Sequence, residues 1–233
     1  MKVLFASSEA YPFAKSGLAD VAGALPKALR RRLVGCRVVM PLYGSIPYEL
    51  REKMQFICSI TVPVAWRRQY CGIFEAHVDG VIYYFIDNQY YFKRDGLYGH
   101  YDDAERFAFF SRAVLEIIPY IDFKPDIIHC NDWQTAMVPV FLNEIYRADP
   151  FFSEIKTVFT IHNIQYQGKY GMELYSDVLG LPYGRESIVE YDGCVNLMKG
   201  AIQCADKITT VSPTYAREIL DPYYSFGLDG ILK

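Results

Sequence analysis

The stretch Lys2–Arg31, KVLFASSEAYPFAKSGLADVAGALPKALRR, contains the signals that decide the fold class. Its first, mostly apolar run, Val3–Ser7, is typical of a strand buried on both faces of a parallel sheet. A polar loop that contains Lys15 and Gly17 follows this strand. Apolar residues then recur at spacings of three and four up to Leu29, which predicts an amphipathic helix.

A second strand completes a β-α-β unit. The segment Cys36–Met40, CRVVM, is apolar, and Pro41 is expected to end it. Pro26 lies within the helical pattern and predicts a kink, because proline lacks a backbone N–H. Two strands joined through a helix normally make a right-handed crossover in a parallel sheet. The start of the chain therefore indicates an α/β fold.

Residues 54–87 have a different pattern, rich in β-formers, and Asp79-Gly80 between two apolar runs is a hairpin signal. We interpret this region as an antiparallel β-hairpin insertion. Further strands are then expected at Asp126–Cys130, Lys156–His162 and Lys207–Val211, and helices at Asp103–Ile118, Trp133–Ile145, Val195–Ala205 and after Ser212, with Asn131 or Asp132 capping the helix at Trp133. The predicted fold class is α/β, a doubly wound and mostly parallel Rossmann-like sheet in a single domain, residues 1–233.

Composition excludes several classes of protein. The 233 residues are 52% hydrophobic and 22% charged, so a large core is expected. The net charge of −3 and the lack of a basic stripe argue against a nucleic-acid partner, and no apolar run is long enough to predict a membrane span or a signal peptide. The six cysteines are scattered without a CxxC pair, which argues against a metal site and favours reduced thiols in the cytoplasm.

Polar residues follow three of the predicted parallel strands, where ligands bind in such sheets. They are Lys15, Gly17 and Asp20 after the first strand, Asn131 and Asp132 after the strand that ends at Cys130, and His162 and Asn163 at the end of the strand that begins at Lys156. A lysine beside a helix N-terminus suits a phosphate or diphosphate, and glycine allows a close approach of the backbone. The aspartates can accept hydrogen bonds from sugar hydroxyls, and the histidine can donate to a hydroxyl.

Each of these residues also has a purely structural interpretation. Lys15 alone could be a solvated surface residue, and Asp20 and Asp132 could be helix caps or first-turn carboxylates. His162 could be a hydrogen-bonded structural histidine, and His129, inside an apolar strand, is expected to be one. The convergence of three polar clusters on one edge favours a ligand site.

The aromatic segment Tyr83–Asp103 could hold sugar-stacking residues. Aromatic residues at strand spacing, such as Tyr83 and Phe85, are more often part of the core. Tyr98, in the glycine-flanked sequence GLYGHY, is the better candidate for ligand contact.

Several motifs together resemble bacterial glycogen synthases and plant starch synthases. They are SSEAYPFAKSGLADVAGALPKAL at Ser7–Leu29, RVVMPLYGSIP at Arg37–Pro47, HCNDWQTAMVPVFL at His129–Leu142, FTIHNIQYQGKY at Phe159–Tyr170, KITTVSPTYAREI at Lys207–Ile219 and FGLDGIL at Phe226–Leu232. The resemblance implies a GT-B fold, in which two Rossmann-like lobes face each other across a cleft. It implies a cytoplasmic bacterial enzyme that transfers glucose from ADP-glucose to the non-reducing end of an α-1,4-glucan, with retention and without a metal or cofactor.

The same resemblance implies roles for the residues at the strand ends. Lys15 would lie beside the donor diphosphate, and Gly17 and Asp20 would shape the glucose site. His162, as the catalytic residue, would lie next to the transferred glucose. The remaining residues, Tyr98, Asp132 and Asn163, would line the cleft.

Two departures from the family pattern qualify these expectations. The family's loop usually has two glycines before Leu-Ala-Asp, whereas this chain has only Gly17, so the loop either distorts the donor pocket or is accommodated. The family also has a second, nucleotide-binding lobe, and the chain is interpreted as the N-terminal, acceptor-side lobe alone, inactive by itself. The choice between ADP-glucose and UDP-glucose stays open. A non-catalytic α-glucan-binding module is the alternative, and an NAD-dependent oxidoreductase is disfavoured because the first turn lacks the glycine fingerprint.

Overall fold

A computed structural model describes all residues from Met1 to Lys233. The strands are β1 Lys2–Ala6, β2 Gly35–Pro41, β3 Gln55–Val64, β4 Arg67–Val78, β5 Val81–Asp87, β6 Ile127–Asn131, β7 Lys156–Ile161, β8 Lys169–Tyr170, β9 Glu190–Tyr191, β10 Cys194–Asn196 and β11 Lys207–Thr210. The α-helices are α1 Gly17–Arg31, α2 Tyr48–Arg51, α3 Gln89–Phe92, α4 Asp103–Glu116, α5 Met137–Phe141, α6 Leu197–Cys204, α7 Pro213–Glu218 and α8 Asp229–Leu232. None of the helices is long and apolar enough to cross a membrane.

The main sheet has eight strands in the order β11-β7-β6-β1-β2-β5-β4-β3. The strands from β11 to β5 run parallel, and β4 pairs antiparallel with both β5 and β3. The predicted α/β fold with an antiparallel insertion is therefore confirmed, and β5 joins the insertion to the parallel strands. A second, three-stranded antiparallel sheet, β8-β10-β9, was not predicted, since its strands have only two or three residues each.

The predicted hairpin turn lies between β4 and β5. Asp79 and Gly80 have φ values of 50° and 77°, as the favoured two-residue hairpin turn requires. Since β5 runs parallel to β1, this turn lies at the opposite edge of the sheet from the carboxyl ends of the parallel strands. Lys27, in the second half of α1, forms an ion pair with Asp79 at 2.5 Å.

Helix α1 begins at the carboxyl end of the sheet, where the loop after β1 turns back. The hydroxyl of Ser16 accepts a hydrogen bond from the Ala19 N–H at 3.0 Å and caps the helix. The helix continues through Pro26, which lies on its buried face. Gly23 on the same face approaches Tyr11 so closely that a Cβ atom would lie 3.0 Å from the Tyr11 Cβ.

A fully buried arginine in α4 orders the segment that carries Tyr98. The Arg106 guanidinium donates to the carbonyls of Tyr91 at 2.7 Å and Leu97 at 2.9 Å, and pairs with Asp103 at 2.7 Å. Hydrogen bonds from a charged group to buried carbonyls are among the stronger ones in proteins. Arg106 therefore fixes residues 91–97 against α4, immediately before the glycine-flanked loop.

The helix predicted at Trp133–Ile145 was only partly right. The chain instead forms a 3-10 turn at Trp133–Thr135, then α5, then a π-helical turn at Leu142–Tyr146. Neither Asn131 nor Asp132 accepts a hydrogen bond from the backbone N–H groups of this helix through its side chain. The Asn131 amide and the Asp132 carboxylate are both bonded elsewhere, because long-range partners compete for them. In contrast, the predicted cap at Ser212 is confirmed, since its hydroxyl accepts from the Tyr215 N–H at 3.0 Å.

Candidate functional site

A cavity of about 750 Å³ opens at the carboxyl ends of the parallel strands. Residues from four distant segments line it: Glu9, Ser16, Leu18, Tyr98, Gly99, Asp103, Asp132, Trp133, Gln134, Asn163 and Tyr166. We call this cavity the cleft. Three of the lining side chains are carboxylates, and no lysine or arginine is among them. Its polar lining is therefore rich in hydrogen-bond acceptors, which suits a ligand that carries many hydroxyl donors.

Tyr98 is fixed in the cleft by two neighbours from the loop after β1. Its phenolic oxygen lies 2.7 Å from the Ser8 hydroxyl, and it donates to the Glu9 carboxylate at 2.5 Å. Burial raises the pKa of Tyr98 well above its usual value, so the phenol stays protonated. The sequence-predicted contact residue is thus rigidly held, and its ring packs near Phe107 with ring centroids 5.7 Å apart.

Asp132 lies at the end of β6 in a conformation that few residues adopt. Its φ of 57° and ψ of 179° fall in a region used almost only by glycine, where other residues are strained by about 1–3 kcal/mol. Its Oδ1 accepts from the backbone N–H groups of His162 at 2.8 Å and Asn163 at 3.3 Å. Burial raises the pKa of Asp132 to about 6, with a further contribution from Glu9, and the two backbone donors act in the opposite direction.

His162 lies behind Asp132 and is held by Asn131. The Asn131 Nδ2 group donates to the carbonyls of Ala6 at 3.0 Å and His129 at 3.3 Å, so its Oδ1 is the atom that faces His162 Nε2 at 2.8 Å. That oxygen can only accept, and the Nε2 atom must therefore carry the proton. Burial lowers the pKa of His162 to about 4, which keeps the imidazole neutral near pH 7 with a bare Nδ1.

His162 does not line the cleft; it lines a second, smaller cavity of about 270 Å³ between α1 and the sheet. His129 and Thr160 line the same cavity, and the His129 Nε2 lies 2.6 Å from the Thr160 hydroxyl. Burial, followed by the proximity of His162, lowers the pKa of His129 to about 4. His129 is thus a half-buried, hydrogen-bonded residue, in agreement with the structural role expected from the sequence.

The loop residues predicted to bind the donor lie at the rim of the cleft or outside it. Lys15 is exposed and forms neither a hydrogen bond nor an ion pair, although Ser16 next to it lines the cleft. Gly17 is exposed, and a Cβ atom there would meet nothing within 4 Å. Asp20 faces a separate hollow beside Lys27 and not the cleft. The structure therefore brings Tyr98, Asp132 and Asn163 together, places His162 behind them, and leaves Lys15, Gly17 and Asp20 solvent-exposed.

Sequence reasoning missed three polar residues of the cleft. Glu9 and Asp103 are both 6% exposed, and Gln134 is 8% exposed with a buried Oε1 that has no hydrogen-bond partner. The available signal was the position of Glu9 three residues after the end of β1, where the apolar pattern has ended. Gln134 likewise lies three residues after the end of a parallel strand, β6.

Comparison with known proteins gives one consistent family. A family model described as the starch synthase catalytic domain matches residues 2–233. The glycogen synthases of Geobacillus thermodenitrificans and Anoxybacillus flavithermus are 58% and 55% identical to this chain over 236 aligned residues, which include all of the chain and 49% of each relative. The chain spans about half the length of the curated relatives it matches.

A solved structure resembles this fold closely. The catalytic domain of starch synthase IV from Arabidopsis thaliana, bound to ADP and acarbose, superimposes with a TM-score of 0.90. The two chains are 32% identical, and the match covers 99% of this chain and 48% of the plant protein.

Proposed function

The chain belongs to the starch synthase catalytic domain family, and from this we propose that it is the N-terminal, acceptor-side lobe of a GT-B glucosyltransferase. The enzyme transfers glucose from ADP-glucose to the non-reducing end of an α-1,4-glucan, with retention at the anomeric carbon. The Geobacillus relative named as a glycogen synthase and the plant starch synthase bound to ADP and acarbose support this choice of donor and acceptor. We place the reaction in the bacterial cytoplasm.

The observation that carries the proposal is the cleft itself. It combines acceptor oxygens of three carboxylates with the rings of Trp133 and Tyr166, the latter 61% exposed. A sugar ring presents hydroxyl donors at its edge and C–H groups on its faces, so such a lining suits it. In this proposal Tyr98, Asp132 and Asn163 hold the acceptor glucan by its hydroxyl groups.

His162 is proposed as the catalytic residue beside the transferred glucose. Because its imidazole is neutral, it can form a hydrogen bond with a sugar hydroxyl, and it does not attract the negatively charged donor phosphates as an imidazolium would. Its Nε2–H is bonded to Asn131 in this structure, so donation to the sugar requires that bond to be given up or shared.

Lys15, Gly17 and Asp20 are proposed to contact the donor from the rim. The Lys15 ammonium has no partner in the chain, and it lies next to the first turn of α1, where free backbone N–H groups favour an anion. The diphosphate would thus bind at the N-terminus of α1, outside the acidic cleft. Asp20 lies in the first turn of the same helix, and its carboxylate faces a separate hollow. In this proposal the side chain turns toward the sugar when the donor binds.

The second half of the family's length is proposed to supply the remaining nucleotide contacts. The relatives are about twice as long as this chain, and Lys15 is the single basic residue in the loop between β1 and α1. We therefore expect no transfer from ADP-glucose by the 233-residue chain alone. Addition of the separately produced second half of the Geobacillus thermodenitrificans relative should restore incorporation of labelled glucose into glycogen.

A glucan-binding module without catalysis is the second candidate, because the whole cleft is built from this chain. Calorimetric titration with maltotetraose distinguishes the two. Binding together with restored transfer supports the enzyme, binding without transfer in any combination supports the module, and no binding at millimolar maltotetraose contradicts both.

A further inference from the structure

Glu9 is a buried carboxylate in the cleft that has no cationic partner. It is 6% exposed, and its Oε1 accepts the Tyr98 hydroxyl at 2.5 Å. It takes part in no ion pair, and its second oxygen, Oε2, has no hydrogen-bond partner in the chain. The Glu9 side chain therefore presents an unused acceptor to the cleft.

The direction of the surrounding hydrogen bonds shows what kind of ligand atom is missing. A carboxylate can only accept, so Tyr98 donates its proton to Glu9 and the Ser8 hydroxyl donates its own to Tyr98. The hydroxyl protons of Ser8 and Tyr98 are therefore both used in this series of hydrogen bonds. The group that completes it must be a donor that approaches Oε2.

The protein does not seal off Oε2, so a group that enters the cleft can reach this free acceptor. A second one lies in the same cleft, since Asp132 is 9% exposed and only its Oδ1 is bonded. The two are close enough for Glu9 to raise the pKa of Asp132. Groups of this kind are typical of binding sites, where a ligand supplies the missing donors.

We propose that Glu9 is a saccharide-binding residue whose Oε2 accepts a hydrogen bond from a hydroxyl group of an uncharged sugar unit in the cleft. Its negative charge, together with that of Asp132, keeps the donor's diphosphate out of this cavity and confines it to the rim beside Lys15. This inference rests on the proposed function, in which the cleft holds an α-1,4-glucan.

The test compares the intact chain with Glu9→Gln, Glu9→Asp and the control Glu49→Gln, which alters an exposed carboxylate of α2 without a partner. Glutamine keeps the size of the side chain and removes the charge. Aspartate keeps the charge, but its shorter side chain places the carboxylate farther from the ligand. Loss of a hydrogen bond to a charged group should weaken maltotetraose binding about tenfold or more in both variants. Millimolar pyrophosphate should not displace maltotetraose from the unaltered chain.

Thermal unfolding separates binding from a structural role. If Glu9 serves the ligand, Glu9→Gln should leave the Tm of the unliganded chain within about 2 °C of that of the Glu49→Gln control, because Oε2 has no partner in the chain and glutamine keeps an oxygen that accepts from Tyr98. A lowered Tm with unchanged maltotetraose affinity would show a structural role and overturn the inference. So would an affinity of Glu9→Gln within twofold of that of the Glu49→Gln control.

The outcomes also separate this inference from the proposed function. Maltotetraose binding by the unaltered chain with equal binding by both Glu9 variants overturns the role of Glu9 alone. Failure of the unaltered chain to bind maltotetraose overturns the proposed function and this inference together. Displacement by pyrophosphate overturns the separation of the diphosphate from the cleft.

Discussion

The Oδ1 of Asp132 accepts a hydrogen bond from the backbone N–H of His162 at 2.8 Å, which joins the end of β6 to the end of β7. This contact holds the Asp132 backbone at φ 57°, ψ 179° and orients the carboxylate toward the cleft. Strain of this kind persists only where neighbouring structure enforces it, and it is concentrated at functional sites.

Two substitutions of Asp132 should distinguish its contribution to stability from its contribution to glucose transfer. Asp132→Asn keeps an oxygen for the two backbone donors, so the free energy of unfolding should change by less than about 1 kcal/mol. Asp132→Ala leaves both donors unpaired and should lower it by about 1–3 kcal/mol. Urea denaturation measures both values, with Asp122→Asn, at an exposed site, as the control.

In the reconstituted enzyme, Asp132→Asn should reduce glucose transfer about a hundredfold, as expected for removal of one preorganised polar group from an active site. Transfer equal to that of the Asp122→Asn control would remove Asp132 from the proposed site.

The stability of the chain should fall as the pH is lowered from about 6.5 to 4. Burial depresses the pKa of His129 and His162 to about 4 in the folded state, so their contribution is present above the unfolded value of 6.5 and is lost toward the folded one. Asp132 opposes this, because its folded pKa of about 6 lies above the unfolded 3.8 and favours folding at low pH.

Near pH 5 the two histidines together lower the stability on acidification more than the one aspartate raises it. The free energy of unfolding should therefore fall by about 1.4 kcal/mol for each pH unit of acidification. Urea titrations at several pH values measure it. His129→Gln should make the dependence shallower, and Asp132→Asn should make it steeper. Stability that rises on acidification from pH 6.5 to 5 would contradict these assignments.

The tautomer of His162 should depend on Asn131. Nitrogen NMR of the unaltered chain should show a neutral imidazole protonated at Nε2 near pH 7. Asn131→Asp places a charge beside this nitrogen and should raise the His162 pKa. It should also lower the free energy of unfolding by about 2–4 kcal/mol, since the carbonyls of Ala6 and His129 lose their donor.

Asn131→Ala provides the comparison, because it removes the same donor without adding a charge. The unfolding cost should be similar, but the His162 pKa should not rise. An equal pKa in both variants would show that Asn131 does not control the imidazole.

Lys15 should matter for the donor and not for the fold. Because its side chain is exposed and unpartnered, Lys15→Ala should leave the free energy of unfolding within about 0.5 kcal/mol and maltotetraose affinity unchanged. In the reconstituted enzyme it should raise the KM for ADP-glucose about tenfold or more. Lys53→Ala, at another exposed lysine, is the matched control, and equal KM values in the two variants would exclude Lys15 from the donor site.

The sequence predicted most of the parallel sheet because local patterns determine it. Buried strands, the periodicity of α1 and the Ser212 cap depend on neighbouring residues in the chain. Asp132 was predicted both to line the cleft and to cap a helix; the side-chain cap is wrong because its carboxylate bonds to the His162 N–H, 30 residues away. Glu9 was not recognised for the same reason, since its significance depends on contact with Tyr98, 89 residues further along. Strands as short as β8 show no periodicity at all.

The turn at Asp79-Gly80 is a suitable site for attaching a label. Both residues of the turn are exposed, and their positive φ values are ones that glycine adopts easily. The turn lies at the end of the sheet opposite to the carboxyl ends of the parallel strands, where the cleft opens. A fluorophore or an affinity tag attached there would lie away from the cleft and would leave its opening free.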